Sequence, residues 1–126
     1  MHLHHVALIC SDYAVSKRFY TDIIGLTVLA EHYRADRQSY KLDLGIGSRY
    51  VLELFSFPDP PPRASHPEAC GLRHLAFAVA DPAAERQRLQ QHGVSCEPLR
   101  TDEYTGRVFF FCRDPDGLPL EFYQAA

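Results

Sequence analysis

The sequence predicts an α+β fold built from two β-α-β-β-β modules, with eight strands curving around a cleft. Three observations carry that expectation. The stretch His5, Val6, Ala7, Leu8, Ile9, Cys10, Ser11, Asp12 is echoed by His74, Leu75, Ala76, Phe77, Ala78, Val79, Ala80, Asp81. The run Leu52, Glu53, Leu54, Phe55 is answered by Leu120, Glu121, Phe122, Tyr123. Each echoed opening leads into a helical pattern and then into strand-like runs. The histidines lie 69 positions apart (74 − 5) and the glutamates 68 (121 − 53), the mark of an internal repeat whose copies pack together because neither covers its own sheet face.

Taken in order, Leu3 to Cys10 is a short apolar run that reads as a strand. Asp12 is an N-cap, and Val15, Phe19, Tyr20, Ile23 and Ile24 fall at helical spacing before Gly25, a residue suited to an αL C-cap. Strands are expected at Thr27 to Tyr33, Ser39 to Leu44 and Tyr50 to Phe55, with a turn at Gly45, Ile46, Gly47. From 58 to 71 the chain is proline-rich, with Pro58, Pro60, Pro61, Pro62 and Pro67 opposing regular structure. A connector this long either spans two sub-structures or covers a site. The pattern then restarts: a strand from Arg73 to Val79, Asp81 as N-cap with Pro82 at the first helical position, a helix through Leu89 ended by Gly93, and strands at Val94 to Leu99, Arg107 to Cys112 and Leu118 to Tyr123. Asp114, Pro115, Asp116, Gly117 form a type I turn signal. The division is a single domain over 1–126, with module 1 at 1–57, the connector at 58–71 and module 2 at 72–126.

Composition excludes several partners. A chain of 126 residues with 46% apolar residues buries roughly two-thirds of its unfolded surface as one domain. A formal charge of −3 advertises neither nucleic acid nor an anionic membrane, and no stretch is long enough to span a bilayer. The opening Met1 to His5 lacks the cationic flank of a secretory signal, so a cytoplasmic location is expected. Cys10, Cys70, Cys96 and Cys112 show no C-x-x-C spacing and read as reduced structural thiols.

Glu53 and Glu121 sit in apolar strands. A carboxylate there needs a cation, a set of donors or a metal, because burying it unpaired is costly. Two neutral imidazoles and two carboxylates carry −2, which a divalent ion neutralises. The mixed N/O set suits Zn, Ni, Co, Fe or Mn, and four protein ligands leave octahedral positions open for chemistry. The candidate ligands are His5, Glu53, His74 and Glu121. The register of the repeat selects His5 over His4, which pairs with Arg73 instead. His2 and His4 read as surface or tag-like residues, and His32, His66 and His92 as solvated.

The two modules, the openings His5, Val6, Ala7 and His74, Leu75, Ala76, the pair Phe19, Tyr20 with Gly25 downstream, and Asp114 to Gly117 before Leu120, Glu121 together resemble the vicinal oxygen chelate superfamily. The run from Glu53 through Pro67 to His74 is similar to its YaeR-type glyoxalase-like members. The resemblance implies the glyoxalase/bleomycin resistance/dihydroxybiphenyl dioxygenase fold around a metal-binding cleft. It implies the His, Glu, His, Glu ligand set of glyoxalase I at His5, Glu53, His74 and Glu121, with one divalent ion, Ni or Zn first and Co, Mn or Fe as alternatives. The implied activity is a lyase or isomerase of lactoylglutathione lyase type, acting on the adduct of a 2-oxoaldehyde and a thiol through an enediolate. Glu121 is the first choice for the base and Glu53 for its partner. The resemblance also implies a homodimer binding a small molecule. Two alternatives stand beside it: an Fe- or Mn-dependent extradiol dioxygenase, for which Glu53 is surplus, and a non-catalytic protein binding a metal or an antibiotic.

Overall fold

The computed structural model describes residues 1–126 and divides into two units, Met1–Pro62 and Arg63–Ala126. In the first unit, β1 (Val6–Cys10), β2 (Thr27–Arg34), β3 (Ser39–Ile46) and β4 (Arg49–Ser56) form one sheet in the order β1-β4-β3-β2. In the second, β5 (Leu75–Val79), β6 (Arg100–Thr101), β7 (Val108–Arg113) and β8 (Pro119–Gln124) repeat that order as β5-β8-β7-β6. The first and fourth strands of each unit run parallel, and every other pairing is antiparallel. The expected β-α-β-β-β order is therefore present twice.

A parallel pair needs a crossover, and a helix supplies it in each unit. Helix α1 (Tyr13–Arg18) is capped by Asp12, whose carboxylate accepts from the Val15 N–H at 3.2 Å. The helix expected to reach Ile24 is α-helical only to Arg18 and then widens into a π-type turn over Phe19–Ile23. The Thr21 hydroxyl donates to the Lys17 carbonyl at 2.7 Å, competing for the acceptor of an ordinary helical bond, and such back-bonding loosens a turn. Helix α2 (Pro82–Gln91) has Asp81 accepting from the Ala84 N–H at 3.1 Å, and Gly93 follows it at φ +81°.

One face of each sheet is packed. In the first unit Leu42, Leu44, Leu52 and Leu54 are buried with Phe19, Tyr20 and Leu26. In the second, Phe110, Leu120 and Phe122 are buried with Leu89 of α2, which packs on β7 and β8, and Phe110 stacks on Phe122 at 5.1 Å. Alternation places Ala7, Ile9 and Glu53 on the opposite face of the first sheet, and Ala76, Ala78 and Glu121 on that of the second. Ile9 is 59% exposed there.

One strand differs from expectation. Val94 to Leu99 contributes a single bridge, Cys96 to Cys112, and regular pairing resumes only in β6. Pro98 has no N–H for a ladder. Arg86 of α2 takes acceptors on this segment, donating to the Glu97 carbonyl at 2.7 Å and the Cys96 carbonyl at 3.4 Å. The proline-rich segment between Ser56 and Leu75 holds no helix or strand. No disulfide joins the four cysteines, and no helix is long and apolar enough to cross a membrane.

Candidate functional site

The sheet registers place the ligand-type residues in the same way in both units. Ala7 lies opposite Glu53 across β1 and β4, and Ala76 lies opposite Glu121 across β5 and β8. His5 stands two residues before Ala7 and His74 two before Ala76, so each imidazole shares its sheet face with its glutamate, one step away. His5 Nε2 is 3.9 Å from Glu53 Oε1, and His74 Nε2 is 3.2 Å from Glu121 Oε2. The carboxylates are well covered, at 13% and 15% exposure, and the imidazoles about a third exposed.

The surroundings of the two glutamates differ. Asp43 lies opposite Glu53 across β3 and β4, whereas Phe111 lies opposite Glu121 across β7 and β8. Lys41 Nζ bridges the first unit's acids, 2.7 Å from Asp43 Oδ1 and 3.2 Å from Glu53 Oε2. The Tyr50 hydroxyl is 2.8 Å from each of the same two oxygens. Burial works to raise the Asp43 carboxyl, but the Lys41 and Tyr50 hydrogen bonds outweigh it and hold the group below its usual range. The bond to Asp43 holds the Lys41 ammonium above its ordinary value, against desolvation and with help from Glu53. Burial, then the two acids, pushes the Tyr50 phenol up. In the second unit the Phe111 ring meets the His74 ring edge-on at 5.2 Å, and Glu121 pairs with His74 in apolar company.

Sequence reasoning missed Lys41, Asp43 and Tyr50. Lys41 and Asp43 alternate with buried Leu42 and Leu44, a period-two pattern that places two opposite charges on Glu53's face. His4, read as a surface residue, lies with its Nδ1 2.7 Å from His5 Nδ1, and both rings pack near Tyr50.

Each of the two matched pairs offers one imidazole nitrogen and one carboxylate, a donor pair suited to a borderline divalent ion. Two donors are fewer than the three or four protein ligands of a catalytic zinc-type centre. Within either unit no group of three or more His, Cys, Asp or Glu side chains draws together to hold an ion.

Fold and site define a class: a paired-module β-α-β-β-β protein that presents one His/Glu pair on the open sheet face of each module. The profile of the Glyoxalase/Bleomycin resistance protein/Dioxygenase superfamily matches residues 2–122, and the chain belongs to that superfamily. It is 57% identical to the uncharacterized protein YaeR of Escherichia coli (strain K12), over 97% of this chain and 95% of that one. It is 32% identical to the glutathione transferase FosA of Serratia marcescens, over 96% of this chain and 79% of the relative. The crystal structure of a glyoxalase family protein from Enterococcus faecalis superposes with a TM-score of 0.90 at 45% identity, covering 97% of this chain and 96% of that one.

Proposed function

We propose that the chain is a metal-dependent lyase or isomerase of glyoxalase I type, acting on the adduct of a 2-oxoaldehyde and a thiol or on a similar small oxygen-chelating substrate. The observation that carries this reading is the identical register of the two His/Glu pairs, Ala7 to Glu53 with His5 two residues ahead and Ala76 to Glu121 with His74 two residues ahead. His5, Glu53, His74 and Glu121 are the ligands, and the ion is divalent, Ni or Zn first. Such an ion supplies Lewis acidity toward the substrate's oxygens.

The chain's own residues divide the remaining work. Glu121 takes the proton from the carbon beside the substrate carbonyl, and Glu53 supplies one to the opposite carbon. The close side-chain contact of Glu121 is to one imidazole, His74, whereas Glu53 is tied to Lys41 and Tyr50 as well, so Glu121 is the carboxylate freer to move. Glu53 is its partner on the opposite side. His5 and His74 hold position, the second braced by the Phe111 ring.

The test is turnover of methylglyoxal–thiol adducts by metal-loaded protein, with several thiols. Glu121→Gln is expected to lower kcat at least about a hundredfold at saturating metal. Absence of turnover with every thiol and metal sinks the reading.

A second reading has its own support. Glu53 is already engaged by Lys41 and Tyr50, which suits a three-ligand centre of His5, His74 and Glu121, as the resemblance implies for extradiol dioxygenases. Glu53→Gln separates the two, since it weakens metal binding in the four-ligand centre and leaves it intact in the three-ligand one.

A homodimer is part of the proposal. A His5→Ala/Glu53→Ala chain mixed and refolded with a His74→Ala/Glu121→Ala chain regains activity if each centre draws one module from each chain. It stays inactive if each centre is built within one chain.

A further inference from the structure

The proline-rich connector does more than join two modules. With the residues up to Arg73 that lead into β5, it lines a cavity of about 370 Å³ within the second unit, facing residues of β6 and the segment before it, of β7 and of the turn before β8. That volume is of small-molecule size. His74 is part of the lining, so the cavity reaches one of the proposed ligands.

The charge of the lining is uneven. Arg63, Arg73, Arg100 and Arg113 face it against two carboxylates, Glu68 and Glu97, an excess of two positive charges (4 − 2) in a chain whose formal charge is −3. The pairs between them are loose. Arg73 is 3.4 Å from Glu68 and Arg100 is 3.9 Å from Glu97, all four side chains more than half exposed, so these contacts stabilise little and yield readily to a better anion. Arg113 has no carboxylate partner.

Two arginines are held in place by groups other than acids. Arg63 Nη2 donates to the Leu72 carbonyl at 2.7 Å and to the Arg73 carbonyl at 3.1 Å, while its Nε is buried with no hydrogen-bond partner. The Arg100 guanidinium lies over the Phe109 and Phe111 rings, 5.1 and 5.4 Å from their centroids. The Phe111 ring is also the one that meets His74 edge-on, so one aromatic residue sets the spacing between a fixed cation and a candidate ligand. A guanidinium fixed in this way loses little freedom on binding, and its planar fork matches carboxylate and phosphoryl oxygens.

We infer that this cavity binds a carboxylate or phosphoryl group of a small molecule whose other end reaches His74. The connector thus supplies part of substrate recognition. That the molecule is the substrate of the metal centre rests on the reading given above; the anion pocket itself does not depend on it.

The experiment is calorimetric titration of metal-stripped full-length protein with inorganic phosphate and, separately, with glutarate. Saturable binding of at least one is expected, weakened about tenfold or more by Arg100→Gln combined with Arg113→Gln and unchanged by Arg37→Gln, which lies outside the cavity. Preference for phosphate assigns a phosphoryl group and preference for glutarate a carboxylate. Because the metal is absent, anion binding survives even if the metal reading fails, and its loss leaves metal binding untouched. Should the double variant fold poorly, the wild-type arginine Nε–Hε resonances give the same answer: those of Arg63 and Arg100 shift during titration. No binding by either anion, binding indifferent to the two arginines, or shifts confined to arginines elsewhere overturns the inference.

Discussion

Tyr50 Oη lies 2.8 Å from Glu53 Oε2, and at the same distance from Asp43 Oδ1. A phenol has one proton, so it bonds one of these carboxylates at a time, while Lys41 reaches both. The ammonium thus occupies the place of a cation beside Glu53. A divalent ion entering there must displace that interaction or share the carboxylate with it. Lys41→Met is therefore expected to tighten metal binding by about tenfold, the size of effect that a unit charge exerts at this range in a partly screened site. Competition against a chromophoric chelator measures it. An unchanged or weaker affinity shows that Lys41 does not compete with the ion.

Gly45 lies where the pairing of β3 with β4 shifts register. A Cβ there comes within 2.8 Å of the Arg49 carbonyl oxygen and 2.9 Å of the Gly47 carbonyl oxygen, both backbone atoms that cannot swing aside. Gly45→Ala is expected to cost about 1–3 kcal/mol, read as a lower urea midpoint with an unchanged slope. A midpoint equal to wild type shows that the β3–β4 turn relaxes freely. Gly47→Ala tests another effect at the same turn, because its φ of +59° is the difficulty there and open space surrounds its Cβ.

The legibility of the sequence followed its periodicities. Asp12 and Asp81 announce their helices because an N-cap is a local device, and the buried Leu52/Leu54 and Leu120/Phe122 pairs announce their strands because burial alternates with period two. The echo of His5 and Glu53 in His74 and Glu121 located both pairs, since a repeated register carries its side chains to equivalent places. What escaped was set by contacts distant in sequence. Arg86 claims the Cys96 and Glu97 carbonyls from a helix ten residues earlier, which no pattern within Val94 to Leu99 reveals. Lys41 and Tyr50 surround Glu53 only once β3 and β4 pair, and the arginines of the cavity are spread from Arg63 to Arg113.

Glu31 couples stability to acid. Its carboxylate accepts from Lys17 Nζ at 2.7 Å and from the Tyr13 hydroxyl, and these two, Lys17 foremost, hold its carboxyl below the ordinary value of 4.5. The folded chain therefore keeps this charge at a pH where the unfolded chain has taken up the proton. The stabilisation is present in full above 4.5 and is lost as pH falls through the lower folded value. The side chain is about a third exposed, so solvent screening limits the contribution to roughly 0.5 kcal/mol. Glu31→Gln should lower the melting temperature slightly at neutral pH and have no effect near the acid limit. A difference that persists unchanged in acid means the effect comes from packing.

The four thiols should separate by reactivity. Cys70 is exposed on the connector, whereas Cys112 is buried in β7, where burial pushes its thiol up to about 12, and burial raises Cys96 as well. The thiolate is the reactive form, so at pH 8 only about one Cys112 in ten thousand is poised to react, before access is considered. Cys10 is buried and donates to the Phe55 carbonyl at 3.3 Å. With a disulfide reagent the native protein is expected to give one fast thiol, abolished by Cys70→Ser, with Cys96 slower because it is partly covered. Cys10 and Cys112 should react at the rate of unfolding, so that denaturant accelerates them in step with the loss of structure. Fast reaction at Cys10 or Cys112 in the Cys70→Ser protein shows that β1 or β7 opens locally without global unfolding.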